Sequence, residues 1–112
     1  MLKMLISMNR EKIFFDKKYR LDGIEGTLRK LFENAGFHRL DDETDSLIYE
    51  GNNSSRDFGK FGKIVNTLKR QPWFMENVAE WRLYDSDDSD NPYDYNEEDL
   101  LQHYRQKNAV GV

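Results

Sequence analysis

Residues 22–36, DGIEGTLRKLFENAG, carry the clearest structural pattern in the chain. Apolar residues recur there at helical spacing and form one stripe, made of Ile24, Leu28, Leu31, Phe32 and Ala35. Asp22, with Glu25 three residues later, is typical of a capped helix start, and Gly36 can adopt the left-handed conformation that ends a helix. The stretch therefore predicts an amphipathic helix from Gly23 to Ala35 that buries one face.

The segments on either side of this helix predict strands and connections. Leu2 to Met8 is an apolar run whose length favours a buried strand, and Lys12 to Phe15 is interpreted as a second strand or an extension of the first. Phe37 to Asp45 is predicted to be a polar connection. Ser46 to Glu50 is predicted to be a further strand, and Gly51 to Arg56 a loop by its composition.

A second helix is predicted from Phe58 to Arg70, with Asp57 as its cap. Its apolar face is predicted to hold Phe58, Phe61, Val65 and Leu68. Gly59 and Gly62 each weaken an isolated helix by about 1 kcal/mol, so this one needs packing or a close backbone approach to hold it.

The last third of the chain predicts a strand between two helices. Pro72 ends the second helix and starts a short one at Trp73 to Met75. Val78 to Tyr84 alternates apolar and polar residues, as a half-exposed strand does, and Asp85 to Tyr95 is predicted to be a loop. Asn96 is predicted to cap a last helix, whose narrow apolar face holds Leu100, Leu101 and Tyr104.

Length and composition are those of one small domain. The chain has 112 residues, 38% hydrophobic and 13% aromatic, so a few large side chains are expected to carry the core. It has no cysteine, which excludes disulfides and thiolate metal sites. No apolar run approaches the roughly 20 residues of a membrane span, and we expect a cytoplasmic protein.

The predicted fold is a single α+β domain over residues 1–112, with a small α/β layer domain as the alternative. The pattern predicts three to four strands packed with three to four helices. Residues 107–112 are predicted to be a frayed tail.

Charge is unevenly distributed along the chain. The net charge is −4, with nine Lys and Arg against five Asp and Glu over residues 1–39, and eight against sixteen over residues 40–112. Eight acids fall within the fifteen residues from Asp85 to Asp99, interleaved with Tyr93 and Tyr95. These acids are Asp85, Asp87, Asp88, Asp90, Asp94, Glu97, Glu98 and Asp99. A surface of this kind attracts basic partners.

The acidic segment has three interpretations. A calcium loop of the EF-hand type fails, because Asp90 stands where its glycine belongs and Asn96 where its glutamate belongs. A docking surface would use the acids to steer a basic protein and the tyrosines for contact. A solvated loop followed by helix N-terminal acids explains Asn96 to Asp99 but not the dense charge of Asp85 to Tyr95. The predicted partner-binding residues are Asp85, Asp87, Asp88, Asp90, Tyr93, Asp94, Tyr95, Glu97 and Glu98.

Other patterns indicate chemistry less specifically. Asp41 to Asp45 is a second acidic cluster, interpreted as a polar loop, and the two clusters together could form a metal-assisted enzyme site. His38 and His103 have neither ligand spacing nor a nearby nucleophile in sequence. Gly59 to Gly62 matches the GxxG of KH-type RNA binders but falls within a predicted helix.

A basic N-terminal region could contact RNA, with Phe14, Phe15 and Tyr19 supplying stacking surfaces. Its cations are Arg10, Lys12, Lys17, Lys18, Arg20, Arg29, Lys30 and Arg39. The alternative is a basic outer face that balances the acidic half of the same fold.

Three stretches resemble small bacterial immunity proteins of contact-dependent growth inhibition systems: residues 41–49 (DDETDSLIY), 57–63 (DFGKFGK) and 96–104 (NEEDLLQHY). The resemblance spans about residues 5–105. It implies a cytosolic protein that binds a cognate toxin domain, often a nuclease, and blocks its active site. Such a protein has no catalytic residues, and we expect no cofactor or metal. The predicted function is therefore immunity to a basic toxin domain. RNA binding or regulation through the basic N-terminal half is the alternative.

Overall fold

The computed structural model of the protein describes residues 2–40, 46–85 and 96–110, which form an antiparallel sheet and helices packed on it. The strands are β1 (Leu2–Met8), β2 (His38–Leu40), β3 (Leu47–Glu50), β4 (Val78–Asp85) and β5 (Asn96–Asp99). The helices are α1 (Arg10–Asp16), α2 (Leu21–Asn34), α3 (Asp57–Leu68), α4 (Pro72–Met75) and α5 (Leu100–Val110). The α+β prediction is confirmed, but these residues hold five strands and five helices, more than the three to four of each that were predicted.

β1 is the centre of the sheet, whose strand order is β2-β3-β1-β4-β5. Its residues alternate between buried and half-buried, with the even-numbered positions from Leu2 to Met8 buried. Met4 lies between Tyr49 of β3 and Leu83 of β4. Buried residues of all five helices belong to the same core cluster as the buried face of β1. The described helices therefore pack on one face of the sheet, and the half-buried residues of β1 lie on the other.

Stacked aromatic rings join α2 and α3 to the sheet. Phe32 of α2 stacks on Tyr49 of β3 with ring centroids 4.2 Å apart. Phe37, just after α2, stacks on Phe61 of α3 at 4.0 Å. Pairs of this kind stabilise a core beyond the area they bury, which confirms the prediction that a few large side chains carry this one.

Trp81 of β4 joins α4 and α5 to the sheet through contacts between aromatic rings. Its ring meets Phe74 of α4 edge-on at 4.9 Å and stacks with Tyr104 of α5 at 5.6 Å. Its indole N–H donates to the sulfur of Met4 at 3.4 Å. The side chain is fully buried, so its one polar group is satisfied inside the core.

The prediction of a strand over Lys12 to Phe15 is wrong, because these residues belong to α1. The Asn9 side chain caps this helix by accepting a hydrogen bond from the Lys12 backbone N–H at 3.1 Å. Ile13 is the buried residue of α1, whereas Phe14 and Phe15 are exposed. Two adjacent apolar residues that face solvent gave the segment the apparent character of a strand.

The connection predicted from Phe37 to Asp45 contains β2, which the pattern missed. His38, Arg39 and Leu40 pair with β3, and none of their side chains is fully buried. An edge strand of three residues carries no apolar alternation to reveal it. Residues 41–45 lie outside the described residues.

α2 confirms the predicted helix but begins two residues earlier. The cap position is Arg20, and the Asp22 carboxylate accepts from the Gly23 N–H at 2.9 Å inside the first turn, so the predicted capping box is wrong. The predicted end is confirmed, because Gly36 has a φ of +84°.

α3 differs from its prediction at its first two residues. Asp57 is buried, and its Oδ2 accepts from the Ser54 N–H at 3.1 Å instead of capping the helix. Phe58 is 70% exposed, and Ile64 takes the place on the buried face that Phe58 was expected to fill. A Cβ atom on Gly62 would meet nothing within 4 Å, so packing rather than close backbone approach holds the helix.

Four further predicted elements are confirmed. Residues 47–50 form β3, residues 51–56 precede α3 as a loop, Pro72 begins the short α4, and β4 covers the predicted strand with one more residue, Asp85. None of the described helices combines the length and the apolarity needed to cross a bilayer.

Candidate functional site

The described part of the acidic segment lies at one edge of the sheet. Asp85 ends β4, Glu97 and Glu98 lie on β5, and Asp85 is the register partner of Asn96. The two described ends of the segment are therefore neighbours. The other predicted partner-binding residues, Asp87, Asp88, Asp90, Tyr93, Asp94 and Tyr95, lie outside the described residues.

The predicted helix start at Asn96 is wrong, because residues 96–99 form β5. Glu97 pairs with Tyr84 and Asp99 with Arg82 in the antiparallel register. The helix begins at Leu100, and its cap is Asp99, whose Oδ1 accepts from the Gln102 N–H at 3.0 Å. The acids at 97 and 98 are therefore held on an outer strand and do not face a helix dipole.

Arg82 is the only cation within β4 and β5, and carboxylates surround it. Its guanidinium hydrogen-bonds Glu97 Oε1, lies 3.7 Å from Asp99 Oδ2 and lies 3.9 Å from Glu80 Oε2. The hydrogen bond to Glu97 raises the pKa of Arg82 above its ordinary value. Register places these side chains on the sheet face opposite the helices.

Together, the described residues of β4 and β5 form what we call the β4–β5 edge. It carries one guanidinium against five carboxylates, which belong to Glu80, Asp85, Glu97, Glu98 and Asp99. Glu98 is exposed and makes no ion pair with any residue that the structure describes. The edge therefore keeps a surplus of negative charge after Arg82 is counted.

Tyr84 adds an aromatic surface to this edge. Burial, followed by the charge of Glu97, raises the pKa of its hydroxyl. The Lys3 ammonium lies 5.4 Å from the centre of its ring, within the range of a cation–π contact. A tyrosine between carboxylates is the composition that the sequence suggested for residues 86–95, and here it lies on a strand of the sheet.

The α1 part of the basic N-terminal region lies at the other end of the sheet. Met8 pairs with Val78 at the end of β1 that leads into α1, whereas Leu2 pairs with Asp85 at the acidic end. Eight residues of β4 span roughly 25 Å. A partner that covers one end therefore does not have to touch the other.

Several of the basic residues proposed for RNA contact are paired within the protein. Arg10 binds Glu25 at 2.7 Å, Lys12 binds Asp16 at 3.2 Å, and Lys18 lies 3.6 Å from Glu76. Arg20 lies 3.6 Å from Asp22. Lys17, which ends α1 with a φ of +54°, has no ion pair within the described part of the chain. These pairs fit the alternative of a balanced outer face.

The aromatic residues of that region are placed for contact with a partner. Phe14 and Phe15 are 82% and 85% exposed. Phe14 and Tyr19 also line a groove of about 550 Å³ between α1 and α2, together with Lys17 and Arg20. Two neighbouring exposed phenylalanines are a candidate interaction surface.

The remaining candidates stay predictions. Across residues 2–40, 46–85 and 96–110, no three His, Asp or Glu side chains come together as a metal-ligand set, and the cluster at Asp41 to Asp45 lies outside that range. His38 and His103 are both exposed. Gly59 to Gly62 lies inside α3, as predicted.

Comparison with known proteins leaves the identity of the partner open. No protein-family model, curated protein or solved structure matches the chain. The resemblance to immunity proteins is therefore a prediction from the sequence, and the charge of the β4–β5 edge is the structural observation that bears on function.

Proposed function

We propose that the protein is an immunity protein, which binds a cognate basic toxin domain in the cytosol and neutralises it by covering its active site. The observation that carries this proposal is the β4–β5 edge, where five carboxylates and one guanidinium lie on the outer strand β5 and its neighbour β4. Because the sheet holds β5 in register, the backbone positions of Glu97 and Glu98 are set before a partner arrives.

A basic partner fits this surface for a physical reason. A nuclease domain needs a positively charged cleft for its phosphate substrate, and a rigid acidic edge can occupy that cleft. Complementary charge accelerates association by a factor of about 10 to 1,000 at low salt, and the gain falls as salt screens it. The same acidic surface repels nucleic acid, so the protein would not itself bind the substrate of the nuclease.

The test is binding to the toxin domain encoded by the adjacent open reading frame. Association rates are measured by stopped flow from about 20 to 500 mM salt. The triple variant Asp87→Lys, Asp88→Lys, Glu98→Lys is compared with Glu11→Lys, a charge reversal on α1 at the opposite end of the protein. We expect the triple variant to associate about tenfold more slowly at low salt or worse, and Glu11→Lys to behave as wild type.

Two results would remove the acidic edge from the proposal. One is an association rate that does not change with salt, and the other is an equal effect of the triple variant and Glu11→Lys. Loss of toxin inhibition in a nuclease assay, with the circular dichroism spectrum unchanged, connects binding at this edge to protection.

A second candidate function is binding of single-stranded RNA by the face of α1. The exposure of Phe14 and Phe15 favours it, as does Lys17, which has no ion pair to a residue that the structure describes. Base stacking on aromatic side chains contributes about 1–3 kcal/mol per base and needs little sequence specificity. The internal ion pairs of Arg10, Lys12 and Lys18 weigh against a large contribution from phosphate contacts.

Fluorescence anisotropy with a labelled twelve-residue oligouridine separates the two candidates. RNA binding predicts a signal at low salt that Phe14→Ser with Phe15→Ser abolishes and that Lys17→Glu with Lys18→Glu weakens. Glu98→Lys is the control, because it leaves this face unchanged. Absence of any anisotropy change at about 20 mM salt eliminates this candidate.

A further inference from the structure

α2, β2 and β3 enclose a small concave site that the functions above do not use. Its volume is about 250 Å³, below the roughly 300–1,000 Å³ of pockets for drug-sized ligands. The lining includes Gly26 and Arg29 of α2, Arg39 of β2, and Leu47 and Tyr49 of β3. Such a volume suits a small polar group and is too small for a nucleotide.

The most unusual group in this site is the hydroxyl of Tyr49. The residue is 1% exposed, and its hydroxyl has no hydrogen-bond partner among the described residues. Phe32 stacks on the ring at 4.2 Å and holds it in place. A buried hydroxyl without a partner is unfavourable, and such a group in a folded protein calls for a ligand or water to satisfy it.

Two arginines line the same cavity as Tyr49, each from a different element. Arg39 is the register partner of Tyr49 on the neighbouring strand. Arg29 precedes Phe32 by three residues on α2, so it lies one helical turn from the ring that stacks on Tyr49. Both arginines are exposed, and neither makes an ion pair with a residue that the structure describes.

The two carboxylates at the rim of the site are already engaged elsewhere. Glu25 binds Arg10 at 2.7 Å, and Asp22 accepts a hydrogen bond from the Gly23 N–H at 2.9 Å. Arg29 and Arg39 therefore line the same cavity as Tyr49, and neither arginine is ion-paired to a carboxylate that the structure describes.

We propose that this site binds a small oxyanion, a carboxylate or a phosphate group, which accepts hydrogen bonds from the Tyr49 hydroxyl and from the Arg29 and Arg39 guanidinium groups. Guanidinium forks suit the planar or tetrahedral oxygens of these groups and bind them through paired hydrogen bonds. Burial raises the pKa of the Tyr49 hydroxyl, the charges of Arg39 and Arg29 lower it, and those of Glu33 and Glu25 raise it further.

The test uses inorganic phosphate and succinate as separate probes, each titrated at pH 7 by calorimetry and by thermal unfolding. Sodium chloride at matched ionic strength is the reference. A ligand that binds only the folded state, added at ten times its dissociation constant, raises the melting temperature of a domain of this size by roughly 4–8 °C. Binding of phosphate alone or of succinate alone identifies the source of the oxyanion, and either result supports the site.

Three variants distinguish binding of the probe at this site from a general effect of salt. Arg39→Gln and Tyr49→Phe should each weaken binding of the probe by about tenfold or more, because each removes a hydrogen bond to a charged ligand. Lys30→Gln removes an equal charge from an exposed position next to Arg29 and should bind as wild type does. Tyr49→Phe should be at least as stable as wild type without a probe, since it deletes an unsatisfied hydroxyl.

Four acids follow Arg39 in sequence, and their carboxylates could compete with an added probe. The titration is therefore repeated with Asp41→Asn, Asp42→Asn, Glu43→Gln and Asp45→Asn combined. Tighter binding there supports a site that accepts carboxylates. The proposal is overturned if neither probe binds either protein, or if Tyr49→Phe, Arg39→Gln and Lys30→Gln all respond to phosphate as wild type does.

Discussion

A Cβ atom on Gly51 would lie 2.5 Å from Oδ2 of Asp57, closer than two such atoms can approach. Asp57 is buried, and the same oxygen accepts the hydrogen bond from Ser54 N–H. We therefore expect Gly51→Ala to lower the free energy of unfolding by about 1–3 kcal/mol, measured by urea denaturation. Gly62→Ala, where a Cβ meets open space inside α3, should instead raise it by up to about 1 kcal/mol. Equal effects of the two alanines would contradict the close contact.

The cap of α5 makes a second prediction. Asp99→Ala removes the acceptor for the Gln102 N–H and one carboxylate near Arg82, and it should cost about 1–2 kcal/mol. Glu98→Ala, which removes an exposed and unpaired acid next to it, should change stability by less than about 0.5 kcal/mol. If Asn96→Ala proves more costly than Asp99→Ala in urea denaturation, the helix starts where the sequence predicted and not at Leu100.

Substitution of a buried phenylalanine should lower stability far more than substitution of the two exposed ones. Phe61 is buried and stacked on Phe37, so Phe61→Ala should cost about 3–5 kcal/mol. Phe14→Ser with Phe15→Ser should cost less than about 1 kcal/mol, because both rings face solvent. Thermal unfolding of the two variants gives the comparison. A large loss in the α1 variant would mean that these rings are part of the core.

Alkaline pH should weaken the fold through two tyrosines. Burial raises the pKa of Tyr49 and of Tyr84 above the ordinary value of 10.0, and Glu97 raises that of Tyr84 further. The unfolded chain therefore loses these protons first, so stability is full below about pH 10 and declines as pH rises through the folded-state pKa values. Urea denaturation at pH 9, 10 and 11 measures the decline, and Tyr49→Phe with Tyr84→Phe should make it shallower. An unchanged slope would exclude both hydroxyls as its source.

Apolar periodicity predicted the elements that bury one regular face against the core. β1 and α2 each bury one regular face, and both were found close to their predicted bounds. α1 was missed because Phe14 and Phe15 lie side by side in sequence and face solvent together. β2 and β5 were missed because they are short outer strands whose polar residues are held by pairing with a neighbour.

For the candidate site, the sequence likewise reveals the composition but not the arrangement of the residues in space. The acid count from Asp85 to Asp99 is visible in the sequence, but its arrangement depends on register. Arg82 meets Glu97 and Asp99 only because β4 and β5 are antiparallel neighbours. Arg39 and Tyr49 likewise become partners only because β2 pairs with β3, and no local pattern in the sequence predicts that pairing.

The central place of β1 determines the order in which the sheet can assemble. Its partners follow it in the chain, and the pairing of Leu2 with Asp85 joins positions 2 and 85. A contact between residues this distant in sequence requires a large loop to close. The entropy of closing that loop is lost before the contact contributes any stability, so the sheet is expected to fold slowly. A ribosome takes on the order of ten seconds to add the intervening residues. Until β4 is made, β1 can pair only with β3 and keeps its other edge open, so β1 is the segment that a chaperone would most need to shield.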